Sequence, residues 1–160
     1  VYISGGTSTL VNNTITQNVC TSASGTNGGG IYVYSYGGGS PLGDNNIIWG
    51  NVAITNPQVS GTVNFNYSCC STTLSGTGNI TANPEFVDPG WDDFHLMAIS
   101  PCIDTGNPAS PLDPDGTRAD MGALPFNQAG GGMLIPNRVT NYNVAPNQAQ
   151  LLATLTWTNP

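Results

Sequence analysis

Asn13-Thr-Ile15-Thr-Gln-Asn18 returns at positions 46–51 as Asn46-Ile-Ile48-Trp-Gly-Asn51, an N-x-I-x-x-N pattern displaced by 33 positions. A shorter echo precedes it: Val1-Tyr-Ile3 returns as Ile31-Tyr-Val33, displaced by 30. The mismatch of three fits a loop inserted in Gly-Gly-Gly-Ser-Pro-Leu-Gly-Asp, residues 37–44. Short apolar segments bounded by Gly and Asn, returning at such a period, suggest a solenoid whose coils bury their aliphatics by stacking. Ile15 is then predicted to sit over Ile48, and Ile3 over Val33. Asn tolerates left-handed backbone at a corner, and its amide can bond to the Asn of the next coil. Asn13 over Asn46 and Asn18 over Asn51 are therefore predicted to form two ladders.

Alternation along Ile31-Tyr32-Val33-Tyr34-Ser35-Tyr36 puts the three tyrosines on one face of a strand. A second extended run, from Gly61 through Val63 and Phe65 to Tyr67, alternates in the same way and is read as the start of the last coil. The Ser/Thr/Gly stretch 71–78 leads out of it.

Composition agrees with an all-β chain rich in turns. Among 160 residues there are 21 Gly and 12 Pro, only 7% are charged, and Lys is absent. Residues that favour exposed helix positions are nearly missing, while Thr, Val, Ile, Tyr and Asn abound. The 38% apolar content, arranged in regular runs, speaks against disorder. A net charge of −7, with Arg118 and Arg138 the only basic residues, argues against nucleic acid, polyanionic sugars and polybasic membrane contact. No apolar run is long enough to span a bilayer. The chain opens in strand-like VYISGG without Met or signal peptide, the pattern of a piece processed or excised from a longer chain.

Eight of the nine acidic residues fall between Asn79 and Phe126. The pieces NPEFVDP (83–89), DFHLMAISPCIDTGNP (93–108) and DPDGTRADMGALPF (113–126) resemble, in that order, the C-terminal end of secreted right-handed parallel β-helix proteins, the segment labelled choice-of-anchor Q. The resemblance implies a closing segment at the end of a β-helix. Beyond the linker-like NQAGGG (127–132), LIPNRVTNYNVAPNQAQLLATLTWTNP resembles the opening of a fibronectin type III domain, through Pro136-x-x-Val139, Val144-x-Pro146 and Leu155-Thr-Trp157. That domain closes its sandwich with seven strands, and two alone are not stable in water. The fold class expected is all-β: a right-handed parallel β-helix, or short β-solenoid, with a C-terminal closing segment and an appended two-strand β extension. Its parts are coils in 1–77, the closing segment in 78–126, the linker in 127–132 and partial fibronectin III-like strands in 133–160.

Cys20, Cys69, Cys70 and Cys102 are even in number and lack CxxC spacing, which favours disulfides in an oxidising, extracellular setting. Of the three connectivities, the vicinal Cys69–Cys70 bond is the least favoured because its ring is strained. Pairing one of those two with Cys102 would tie the last coil to the closing segment. The sequons at Asn12, Asn66 and Asn79 are compatible with secretion.

Carboxylates are the main candidates for chemistry. Asp88, Asp92 and Asp93 flank Trp91, Asp104 follows Cys102, and Asp113, Asp115 and Asp120 surround Gly116. Closely spaced oxygens beside a Gly turn suit a hard cation, so Asp113, Asp115 and Asp120 are the calcium candidates, although EF-hand spacing is missing. The bland reading is a structural Asp115/Arg118/Asp120 network. His95 is the only histidine, which excludes a multi-His zinc site and leaves a single base for a triad. No GxSxG, HExxH or P-loop is present. The tyrosine row with Trp49 offers a platform for sugar stacking or, more simply, stiffening of a sheet.

Neither a catalytic residue nor a cofactor beyond calcium is assigned. The function expected is a non-catalytic extracellular structural protein, a self-assembling subunit of a filament, tube or surface layer. Its contacts would be coil-edge stacking at Val1 and Ile3 and strand addition through Val144, Leu151, Leu155 and Trp157. The partner would be copies of the same chain, with a neutral glycan as the other candidate. The alternatives are a cell-surface carbohydrate-binding or adhesin module, and a fragment of a β-helix polysaccharide-active enzyme. Against the enzyme, β-helix lyases rely on calcium and basic residues for acidic sugars, and both Arg here fall outside the repeat.

Overall fold

Residues 1–21, 28–34 and 39–128 are described by the structure, a computed structural model. They form an all-β protein whose main body is three sheets of three parallel strands. Strands β1 (Tyr2–Ser4), β2 (Thr9–Val11) and β3 (Thr14–Thr16) make a first round of chain. A second round is formed by β4 (Ile31–Tyr34), β5 (Leu42–Asp44) and β6 (Ile47–Trp49), and a third by β7 (Val59–Ser60), β8 (Asn64–Asn66) and β9 (Cys69–Cys70). Each round adds one strand to each sheet, in the orders β1-β4-β7, β2-β5-β8 and β3-β6-β9.

The predicted register holds. Ile3 pairs with Val33 and Ile15 with Ile48. Their side chains meet Ile31, Val63, Phe65 and Cys70 in one core to which all three sheets contribute. One column of that core runs Leu10–Gly43–Phe65. A Cβ on Gly43 would fall 2.2 Å from the Leu10 carbonyl oxygen and 3.0 Å from the Phe65 ring, so the missing side chain is the space the ring occupies. Spacing within the rounds is uneven. β2 and β3 start at 9 and 14, β5 and β6 at 42 and 47, β8 and β9 at 64 and 69, always 5 apart. All variation in round length lies outside that unit.

The corners correct the sequence reading in one respect. The ladder asparagines are not the left-handed residues; their predecessors are. Asn12, Gln17, Asn45, Gly50, Tyr67 and Gly78 have φ between 46° and 71° and stand directly before Asn13, Asn18, Asn46, Asn51, Ser68 and Asn79. A left-handed residue turns the chain, and the next side chain then points inward to serve the backbone of a neighbouring round. Gly61, at φ 94°, turns the chain before the third round's second strand, where a Cβ would meet the Val33 carbonyl oxygen at 2.7 Å.

Beyond β9 the two parts of the closing region divide the labour. The stretch 71–78, expected only to lead onward, lies under the third round with Ile80: Leu74 packs on the core and Ile80 bridges to Cys69. Residues 81–126 then cover the outward face of the third sheet. Strand β10 (Phe86–Asp88) pairs antiparallel with β11 (Asp93–Leu96) through a short 3-10 turn, Pro89–Trp91. Phe86, Leu96, Cys102 and Met121 bury a second core against Ile47 and Cys69, residues adjacent in sequence to the inward Ile48 and Cys70. Strand alternation thus lets one sheet feed two cores. Among the described residues no helix is long and apolar enough to cross a membrane. The linker beyond residue 128 and the fibronectin III-like stretch 133–160 lie outside the described residues, with Val144, Leu151, Leu155 and Trp157.

Candidate functional site

The asparagine ladders differ between the first round and the later ones. Asn46 Oδ1 accepts the Asn13 N–H at 3.1 Å, and Asn51 Oδ1 accepts the Asn18 N–H at 3.1 Å. Ser68 Oγ receives the Asn46 N–H at 3.1 Å, and Asn79 Oδ1 the Ser68 N–H at 2.9 Å, so the first ladder runs through four residues. The second continues from Asn51 to Gln58, whose side-chain amide exchanges hydrogen bonds with Asn51 at 2.9 and 3.2 Å.

Each interior amide also reaches back one round. Asn46 Nδ2 donates to Leu10 O at 2.9 Å, Asn51 Nδ2 to Ile15 O at 2.9 Å, and Asn79 Nδ2 to Phe65 O at 2.8 Å. In the first round the same atoms stay in their own round or reach forward: Asn13 Nδ2 donates to Val11 O and Asn46 Oδ1, both at 3.1 Å, and Asn18 Nδ2 to Thr16 O at 3.0 Å and Asn51 Oδ1 at 2.9 Å. Strands β1, β2 and β3 each pair on one side only among the described residues. A row of edge N–H and C=O groups beside matched Asn corners is a template for one more round. The far end differs: Leu74 covers the core there, Thr77 O accepts the Tyr67 N–H, and Thr77 N donates to Asn66 Oδ1.

Of the predicted edge residues, Val1 is exposed and its ammonium donates to Gly30 O at 2.7 Å. The Ile3 side chain is buried in the core, so only its backbone belongs to the edge. In the tyrosine row, Tyr32 stacks on Tyr2 of the round before, with centroids 5.6 Å apart and planes 26° apart. Tyr34 is exposed, and Tyr36 lies outside the described residues. Trp49 packs instead on the second core, apart from that row. A cleft of about 260 Å³ between Val59–Val63 and Thr72–Ser75 is lined by no ionisable side chain.

The carboxylates serve backbone N–H groups. Asp120 is buried and accepts from Asp104 N at 2.7 Å and Phe126 N at 2.6 Å. Burial nevertheless outweighs those bonds and raises its carboxyl to about 6. Asp113 accepts from Asp120 N at 2.8 Å, and burial raises it as well. Asp115 accepts from Gln128 N at 2.7 Å and from Thr117, which together hold it below its ordinary value. Among the described residues no group of three or more His, Cys, Asp or Glu side chains converges as a metal site.

The expected Asp115/Arg118/Asp120 network takes another form. Arg118 makes no ion pair with either acid; its Nε donates to Gly106 O at 2.7 Å, Nη2 also binds Gly106 O, and the guanidinium lies 5.7 Å from the Tyr67 ring centroid. A carbonyl and an aromatic face, neither visible as charge in the sequence, take the cation instead. His95 stands on β11, with Nδ1 2.7 Å from Asp93 Oδ1, and it holds the Asp93 carboxyl below the usual range. Both side chains are partly exposed, 42% for His95 and 36% for Asp93, the setting of a surface pair. Asp88 and Asp92, flanking the exposed Trp91, lie at the same turn.

Sequence reasoning passed over Asn45. It is fully buried, and its amide joins the stack to the closing segment: Oδ1 accepts from Asn107 N at 2.6 Å and Nδ2 donates to Ser110 Oγ at 3.0 Å. The doubled Asn at 12–13 and 45–46 was the available signal. No protein-family model, curated protein or solved structure matches this chain.

Proposed function

We propose that this chain is a non-catalytic structural module of an extracellular assembly. It is a short right-handed parallel β-helix, covered at one end and joined to another copy through the free edge of its first round. What supports this most is the contrast between Asn46, Asn51 and Asn79, whose amides reach back to the round before, and Asn13 and Asn18, whose amides donate only within their own round and to the round after. The residues with acid–base chemistry favour the same reading, since Asp113, Asp115 and Asp120 are engaged by backbone N–H groups. The tyrosine stack occupies one face of both Tyr2 and Tyr32 against each other, which suits stiffening of the sheet more than sugar capture.

One free edge supplies one contact. Growth into a filament, tube or layer needs a second contact, assigned from the sequence to residues 133–160. Light scattering and electron microscopy of the full chain test this. Concentration-dependent association is expected, and it should be lost when Asn13→Asp and Asn18→Asp together place like charges along the edge. A chain that stays monomeric at every concentration, with or without those substitutions, would sink the assembly reading.

A further inference from the structure

We propose that Cys69 and Cys102 form a disulfide that fastens the closing segment to the third sheet, leaving Cys70 a thiol. Cys69 leaves β9 on its outward side and Cys70 on its inward side, so the two neighbours stand in different cores. Cys69 and Cys102 are thiols packed in the same second core, and both are 0% exposed. Cys70 is 3.4 Å from Thr72 Oγ1 within the first core. For Cys70 to reach Cys102, β9 would have to turn over and exchange the faces of both residues. The sequence left Cys69 and Cys70 as equal partners for Cys102; strand alternation separates them.

The oxidant is a small-molecule disulfide. The first cysteine thiolate attacks it, forming a mixed disulfide and releasing one small thiolate. The second cysteine thiolate then attacks the protein sulfur and releases the other. Two protein thiols lose two protons and two electrons, and the small disulfide is reduced to two thiols. Exchange needs an exposed thiolate, and in the folded chain the Cys102 hydrogen bond and burial raise the Cys69 thiol far above its ordinary value. The bond therefore forms before residues 81–126 dock, and afterwards it is shielded from reductant.

The test is to refold the reduced full chain from denaturant with glutathione disulfide, alkylate the remaining thiols in denaturant, and map the peptides. One cross-link is expected, between the Cys69-Cys70 peptide and the Cys102 peptide. Cys70→Ala should retain it and Cys69→Ala should lose it. Reductant should lower the Tm of wild type and Cys70→Ala by about 10 °C or more. Alkylation of all four cysteines after refolding, a bond to Cys20, or a cross-link lost in Cys70→Ala would overturn the assignment. If Cys69→Ala does not fold, the Cys70→Ala result alone decides.

Discussion

Asn46 in the stacked rounds and Asp120 in the closing segment are both buried, and both accept backbone N–H groups. Asn46 also gives, donating its amide to Leu10 O in the round before. Asp120 only receives, from Asp104 and Phe126. An amide carries donor and acceptor on one planar group, so it can be laid on a copy of itself indefinitely. A carboxylate has acceptors only, and a column of them would repel. The repeat is therefore built on neutral Asn, while the segment without a periodic neighbour draws its polar partners from Asp. The gathering of acids in 79–126 follows from that division.

Exchanging the two groups is the strongest way to break the comparison. Asn46→Asp turns a donor into an anionic oxygen facing the Leu10 carbonyl, inside a core without a cation. A loss of about 3–5 kcal/mol in urea unfolding is expected. The reverse change, Asp120→Asn, forfeits one of two accepted bonds but removes a buried charge, and should cost about 1 kcal/mol or less. Equal costs would mean that the two chemistries are interchangeable. Asn45→Ala comes next. It removes a residue tolerant of φ 58° and both side-chain bonds to the closing segment, for about 2 kcal/mol. Asn45→Gly keeps the backbone geometry and should cost less. Amide exchange should accelerate more around Asn107 and Gly122 than in β3 if the loss is in the joint between the regions.

Acidity gives the smallest effect. Asp120 and Asp113 have raised folded values, so their contribution is full below the ordinary value of 3.8 and fades as pH rises, for Asp120 through about 6. Asp93 and Asp115 are lowered, so theirs is present above 3.8 and is lost as pH falls below it. Thermal unfolding across pH should show greatest stability at about pH 4 and a decline from there through about 6. Asp120→Asn should flatten the decline on the neutral side while leaving the acid limb in place.

The first two rounds were legible because the same residues recur: Asn over Asn and Ile over Ile identify a register without any structure. The third round was read from the alternation of Gly61 to Tyr67, but its register hides because Ser68 replaces Asn and Cys70 replaces Ile while doing similar work in the same column. The packing of residues 81–126 on the side of the third sheet was not legible, since the second core needs Ile47 and Cys69 from a sheet whose other face was already spoken for. Arg118 was misread because sequence shows neighbouring charges and conceals distant carbonyls.

The constant spacing of 5 between the second and third strands of every round has a bearing on how such a chain changes over generations. Insertions and deletions can accumulate on the arc from the third sheet round to the second without disturbing register, as the uneven rounds already show. The short arc across the asparagine corner works as a gauge: a single residue gained there would throw every later inward side chain to the outside. Natural variation in length, and any grafted loop, should therefore be confined to one side of the molecule.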